Sequence, residues 1–489
     1  MRRLPLALVA IAFALGAGAL LALGDQGALP DPSGLLDPGG VPDVPALVLA
    51  DDAPDPFAYS EDRRGEFERR AAQGLSHVLY EKSPGGVLAS ARRTARRRPL
   101  VESVASGAGV DADLIEAIVL LESAGRPDAV ADPELEGAVG LTQILAATGQ
   151  GLLGMRVDVA ASRRLTRRIR RAIRRGKPRK AKRLEALRRR ADERFDPRKA
   201  LEATGRYLDF ARGELGRDDL AVVSYHMGVG NLTSVIEDFG EGDRPSYARL
   251  FFESSPSSHR PAWRRLADLG DDSSTYYWRV LAAREIMRTY RADREALARQ
   301  DELQTAKSSA EEVLHPGDET ERYESPDDLE DAYGDDELRP FPNAPARTGL
   351  RRDRAMGELA PRLDVGRDLY RGLRPEAYAL ALYMARLARE AGGGREPLTV
   401  TSTVRDEAYQ ALLLKGNPEA TSNYSLHTTG WTFDVLRRYS GDRQAVAFQF
   451  ALDRLEALNL IAWVREPAAI HMTVAGDAGV LVGLLEEDR

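Results

Sequence analysis

The stretch Asp111-Ala112-Asp113-Leu114-Ile115-Glu116-Ala117-Ile118-Val119-Leu120-Leu121-Glu122-Ser123 decides how the first half of the chain is read. Asp111 suits a helix N-cap, because its short carboxylate can accept from the free N–H groups of the first turn. Leu114, Ile115, Ile118, Val119 and Leu121 then recur at helical spacing. Positions 115, 118, 119 and 122 fall on one stripe, so Glu122 continues an apolar face. Burial there disfavours the charged carboxylate and raises its pKa, the property a general acid needs. The competing reading is a helix-end Glu that swings out into solvent.

Around this helix lies a chain of 489 residues with 69 Lys+Arg, 76 Asp+Glu and no cysteine. At roughly 100–200 residues per domain, several domains are expected. A hydrophobic content of 43% supplies each with a core. The formal charge of −7 argues against an overall nucleic-acid binder. Without cysteine there are no disulfides, thiol nucleophiles or iron–sulfur sites. Any metal must be held by Asp, Glu or one of six histidines.

Met1-Arg2-Arg3 followed by the apolar run Leu4 to Leu23 reads as an export signal or a membrane anchor, with Ala22-Leu23-Gly24 as a cleavage site. Either reading places the rest of the chain outside the cytoplasm, on the periplasmic or wall side. The expected organisation is an export segment (1–24), a flexible Pro/Gly/Asp-rich spacer with a lead-in helix (25–75), a helical domain (76–292), an acidic linker (293–345) and a compact α+β domain (346–489). The helical domain carries a basic insertion (162–194). Between Arg163 and Arg190 stand sixteen Lys/Arg and one acid, Glu185, with Leu165, Ile169, Ile173, Leu184 and Leu187 at helical spacing and a break at Gly176-Lys177-Pro178. This predicts a basic helical hairpin. From Glu311 to Glu337 there are thirteen acids and one Arg, so this stretch is expected to be disordered.

Three motifs give the helix at Glu122 a context. Glu122-Ser123-Ala124-Gly125-Arg126-Pro127 is followed by Gly137-Ala138-Val139-Gly140-Leu141-Thr142-Gln143-Ile144, and later by Ala221-Val222-Val223-Ser224-Tyr225-His226-Met227-Gly228. In this order and at these separations they resemble the soluble-type (SLT) lytic transglycosylases, which cleave bacterial peptidoglycan. The resemblance covers roughly residues 78–292 and ends on Tyr276-Tyr277-Trp278-Arg279-Val280, similar to the family's closing helix. It implies a helical, lysozyme-like domain that needs no cofactor, with Glu122 as the single catalytic carboxylate. One Glu would protonate the glycosidic oxygen between N-acetylmuramic acid and N-acetylglucosamine, then deprotonate the muramic C6 hydroxyl to close a 1,6-anhydro ring. Ser123, Gln143, Tyr225 and His226 are implied along the sugar, with Tyr225 approaching the acid. The chain departs from the family with His226 where Asn is usual and Thr142 where Met is common. The basic insertion between the second and third motifs is a further departure. It reads as a solvated surface or as a clamp on an anionic wall polymer or membrane surface, with no nucleic acid expected. Docking onto the acidic linker is a third reading.

The second site is Ser425-Leu426-His427-Thr428-Thr429-Gly430-Trp431-Thr432-Phe433-Asp434, with the strand-like Ile470-His471-Met472-Thr473-Val474 downstream. Two His and an Asp suffice for a tetrahedral zinc with an open position, although structural histidines give the same spacing. The string resembles the zinc D-Ala-D-Ala peptidase family over about residues 375–475. That likeness implies His427, Asp434 and His471 as zinc ligands and Arg405 as a substrate contact. The family has its general-base Glu three residues before the last His, where this chain has Ala468. Glu466 is the candidate replacement, and the face it presents depends on how that strand begins. A wall-binding scaffold of two worn-down enzyme folds and a hydrolytic muramidase remain as alternatives.

Overall fold

The computed structural model of the chain describes residues 47–487 except 51–53, 241, 243, 342 and 417–423. The apolar run at 4–23 and residues 25–46 of the spacer lie outside the described residues. Two compact units are present. One comprises Phe57–Val313 with Asp453–Asn459, and the other comprises Leu314–Leu452, Leu460–Arg489 and the described part of Met1–Pro56. Among the described residues no helix is long and apolar enough to cross a membrane.

The first unit is helical. Its main elements are α1 (Val87–Ala95), α2 (Arg98–Ala108), α3 (Ala112–Ser123), α4 (Val159–Arg174), α5 (Pro178–Ala191), α6 (Pro197–Leu215), α7 (Asp218–Met227) and α8 (Tyr276–Ala292). Asp111 caps α3 as its sequence predicts, accepting from Asp113 N at 2.9 Å. Ile115, Ile118 and Val119 are fully buried, and α8 packs along α3 with Trp278 in the core between their neighbours. α3 ends on two left-handed residues, Ala124 and Gly125. A Cβ on Gly125 would stand 2.6 Å from Thr94 N, so this turn requires glycine. α4 and α5 form the predicted basic hairpin, closed on a small core of Ile169, Ala172, Ala181 and Leu184.

The second unit is built on a mixed sheet. Its elements include β1 (Leu47–Leu49), α9 (Pro326–Gly334), β2 (Leu350–Arg352), α10 (Pro375–Ala388), β3 (Leu398–Ser402), β4 (Thr432–Leu436), β5 (Ile461–Arg465), β6 (Ala469–Val474) and β7 (Leu485–Glu487). The five-stranded sheet runs β2-β3-β4-β6-β5, parallel only between β2 and β3. α10 is apolar on nearly every side and correspondingly buried. Phe433, Val435, Ile470 and Met472 fill one face of the sheet, which leaves Asp434 and His471 on the other.

Three expectations fail here. The acidic stretch is folded rather than disordered: Ser325 and Asp328 form a reciprocal capping box at the start of α9. Leu329, Ala332 and Tyr333 then join Leu338, Tyr370 and Tyr409 in a core cluster. A few apolar residues at helical spacing suffice, because the carboxylates occupy the opposite face. Nor is 293–345 a single linker, since the unit boundary falls at Val313/Leu314 and the helix Arg294–Thr305 belongs to the helical unit. Part of the spacer is also structured, because β1 pairs antiparallel with β7.

Candidate functional sites

α3 carries two glutamates in contrasting surroundings. Glu116 is buried but paired with Arg98 and Arg291. Glu122, two turns on, has no ion-pair partner among the described residues. Its Oε1 instead accepts from the Tyr276 hydroxyl at 2.7 Å. Burial pushes the Glu122 carboxyl up from 4.5 to about 7, against a smaller downward pull from the Tyr276 hydrogen bond. The sequence expectation of a raised carboxyl on the apolar stripe holds. Glu122 opens into a cavity of about 290 Å³ lined also by Leu79, Lys82, Leu121, Arg126, Asp272 and Arg279. The other carboxylate in that lining, Asp272, is tied to Arg279.

The remaining predicted residues converge on this point, but not all as expected. Tyr225 does not give its hydroxyl to Glu122. It donates to Thr142 O at 2.8 Å and lies 3.1 Å from Thr204 Oγ1, linking α7 to the loop before Gln143. Tyr276 takes the place beside the acid, with the Tyr225 ring stacked on it at 6.4 Å and the His226 ring at 5.1 Å. His226 is exposed and its Nδ1 lies 2.9 Å from Ser273 Oγ. Ser123 also lines the cavity, and its buried hydroxyl donates to Leu141 O at 2.7 Å, which fastens the loop. Gln143 adopts a left-handed conformation and turns its amide nitrogen back on Gly140 O at 2.8 Å. Neither Gln143, Tyr225 nor His226 lines the cavity.

The loop is organised by a residue that sequence reasoning missed. Arg194 is fully buried and donates to Leu135 O, Gly137 O and Ile144 O at 2.8, 3.1 and 3.3 Å, while ion-pairing with buried Asp192 at 2.9 Å. Gly140, at φ +85, passes so close that a Cβ would meet Arg194 O at 2.0 Å. Asp192-Glu193-Arg194 reads in the sequence as a charged surface run, so nothing local signalled that this pair is buried.

In the sheet unit, β4 and β6 pair with Asp434 directly opposite His471, and Ser402 of β3 is opposite Asp434. His427 comes from the single turn Leu426–Thr429 ahead of β4, which Gly430 closes at φ +76. His427, Asp434 and His471 place their ligand atoms within 4.8 Å of one another. His427 Nδ1 lies 2.7 Å from Thr403 O, which assigns it the proton and leaves the Nε2 lone pair facing Asp434 Oδ2 at 3.3 Å. His471 Nδ1 faces Asp434 Oδ1 at 2.9 Å. Burial, aided by Arg405, pushes His427 down to about 4, so the ring is neutral and able to ligate at pH 7. Burial alone would raise Asp434, but the two imidazoles beside it outweigh that and hold the carboxyl well below its ordinary value. This donor set, two imidazoles and one carboxylate gathered within one small cluster, fits a metal ion.

Arg405 stands beside the triad, held by Ser402 Oγ at 2.7 Å and Gln410 Oε1 at 3.1 Å, with Nη2 3.7 Å from Asp434 Oδ2. Ala468, where the resemblance puts a base, lies in the exposed turn joining β5 to β6. Glu466 N bonds to Ala469 O at 3.0 Å and extends the hairpin by one pair. Because Val464 is opposite His471, this register puts Glu466 on the triad's face of the sheet. Burial lowers the pKa of the Arg405 guanidinium, with the charges of Asp434, Tyr409 and Glu466 acting in the opposite direction.

No protein-family model matches the chain, and no curated protein matches it.

Proposed function

We propose that the helical unit is a lysozyme-like peptidoglycan lytic transglycosylase and that the sheet unit is a zinc peptidase acting on the stem peptides. The observation that carries the first reading is the environment of Glu122: a carboxyl raised to about 7, in a cavity whose other carboxylate is locked to an arginine. A hydrolase of the usual two-carboxylate kind needs a second free carboxylate to act on water or on the sugar. A single acid suits the intramolecular route. Protonated Glu122 donates its proton to the glycosidic oxygen as the C1–O bond breaks. The carboxylate so formed takes the proton of the C6 hydroxyl, whose oxygen closes on C1. No water is consumed, and Glu122 ends protonated. The Tyr276 hydroxyl holds the carboxyl in place and stabilises the anion between the two transfers.

In the sheet unit, His427, Asp434 and His471 would hold the zinc, which would supply Lewis acidity towards a peptide carbonyl. Arg405 offers a positioned guanidinium for a substrate carboxylate. Glu466, on the same face, would be the group that moves a proton.

Digestion of purified peptidoglycan, read by mass spectrometry, tests both. Anhydro-muropeptides are expected with or without EDTA and should vanish in Glu122→Gln. Reducing-end muropeptides without anhydro sugar would replace the transglycosylase reading with a hydrolytic muramidase. Shortened stems that disappear with EDTA are expected from the sheet unit. Stems left intact in both samples would reduce that unit to a binding module.

A further inference from the structure

The α4–α5 hairpin takes no part in either site described above. Fourteen of its cations are exposed, and none of the fourteen forms an ion pair among the described residues. Arg163 is the exception in the hairpin, bridging to Glu134 at 2.6 Å and Glu136 at 3.0 Å at the hairpin's base. Arg188 also stays at the base, its guanidinium 3.8 Å over the Phe195 ring and donating to Thr166 Oγ1 at 3.1 Å. Asp158 caps α4 by accepting from Ala161 N at 2.8 Å. The arm is therefore built and fixed at one end. Sixteen residues of α4 give it a length of about 24 Å.

The far end combines two features. From Arg170 to Lys180 there are seven cations, all exposed, and in their midst Ile173 is 60% exposed. Ile173 is one residue past the packed position Ala172, outside the hairpin core. A bare charged arm would satisfy a soluble polyanion, but such a polymer offers nothing to a β-branched side chain left in water. A bilayer interface satisfies both: headgroup phosphates take the guanidinium and ammonium groups, and the acyl boundary takes the isoleucine. Arginine and lysine stems can lie along the interface while their heads reach the phosphates.

We propose that the tip of the α4–α5 hairpin docks on the surface of a membrane rich in anionic lipid, with Ile173 entering the interface among Arg170, Arg171, Arg174 and Arg175. This inference does not depend on the activity of either unit.

The chain has no cysteine, so Ile173→Cys places a polarity-sensitive fluorophore at the tip and nowhere else. The full chain so labelled is mixed with phosphatidylglycerol or phosphatidylcholine vesicles at about 0.1 M and about 0.5 M salt. A blue shift is expected with the anionic vesicles at low salt, with partitioning about tenfold or more above that onto neutral vesicles, and largely lost at high salt. The label reports only on residue 173, so attachment through another part of the chain does not produce the shift. Changing Arg170, Arg171, Arg174 and Arg175 together to Gln, in the labelled protein, should abolish it with the far-ultraviolet circular dichroism unchanged. A label that stays water-exposed on anionic vesicles overturns the proposal, as does an equal shift on neutral ones. So does tighter binding to soluble poly(glycerol phosphate) or DNA than to vesicles, which would assign the arm to a polymer.

Discussion

Glu122 shows what one residue's surroundings decide. Its helix stripe is legible in the sequence because positions 115, 118, 119 and 122 are local. Its partner Tyr276 was not, since it lies 154 residues away and reaches the acid only through the packing of α8 on α3. The raised pKa makes a prediction about stability with a definite sign. The unfolded carboxyl titrates near 4.5 and the folded one near 7, so between these values only the folded state holds the proton. Stability contributed by this group is therefore complete below about 4.5, falls as pH rises towards 7, and levels off above. The difference amounts to roughly 3 kcal/mol. Glu122→Gln removes the titration, so the variant should be more stable than the parent at pH 8 and equal to it near pH 4.5. Denaturant melts at the two pH values measure this, and parallel curves for the two proteins would contradict the burial argument. Glycan cleavage should decline over the same range, as the acid deprotonates.

At the scale of elements, the loop from Leu135 to Ile144 has little regular structure of its own and takes its shape from Arg194. Replacing Arg194 with Ala would take the guanidinium from three carbonyls and leave the buried Asp192 carboxylate without its cation. A loss of about 3–5 kcal/mol is expected. Glycan cleavage should fall as well, although Arg194 does not line the cavity. Arg194→Ala with Asp192→Ala should recover part of the stability, because the unpaired charge is then gone. A single variant that melts like the parent would show that the loop is held by something else. The same loop marks a boundary of sequence reading. α3, the hairpin and the strands around His427 and His471 were legible through periodicity and capping, which act over a few residues. Arg194 bonds to carbonyls 50 to 59 residues away, a link that no local pattern carries. The acidic stretch fails for a different reason: its thirteen acids outweigh Leu329, Ala332 and Tyr333 in composition, but those three are enough to seat α9. The register that brings Glu466 to the triad's face likewise depends on a two-residue turn, Pro467-Ala468, which spacing to His471 alone does not reveal.

At the scale of the molecule, the chemistries proposed for the two compact units have opposite requirements. The glycan chemistry proposed for Glu122 calls for no metal. The sheet unit's triad is assembled from a turn and two strands whose ligand atoms face one another. In the metal-free state His471 Nδ1 can donate to Asp434 and His427 Nδ1 donates to Thr403 O, so removal of an ion leaves both rings hydrogen-bonded and the fold need not collapse. Binding to the folded state alone nevertheless stabilises it by mass action, about 2.7 kcal/mol at a hundredfold excess over the dissociation constant. Calorimetry of the full chain with added zinc should therefore show one transition moved upward and the other unmoved. Chelator should reverse the movement. In His427→Ala the zinc-dependent transition should no longer respond, and bound metal measured after dialysis should fall to background. The helical unit's transition should stay in place throughout, and the yield of anhydro sugar with it. If both transitions move together, the units are energetically coupled. If neither moves and His427→Ala retains its metal, the triad is a buried hydrogen-bonded cluster rather than a metal centre. The separation of the two responses tests at once where the metal sits and whether the glycan chemistry is independent of it.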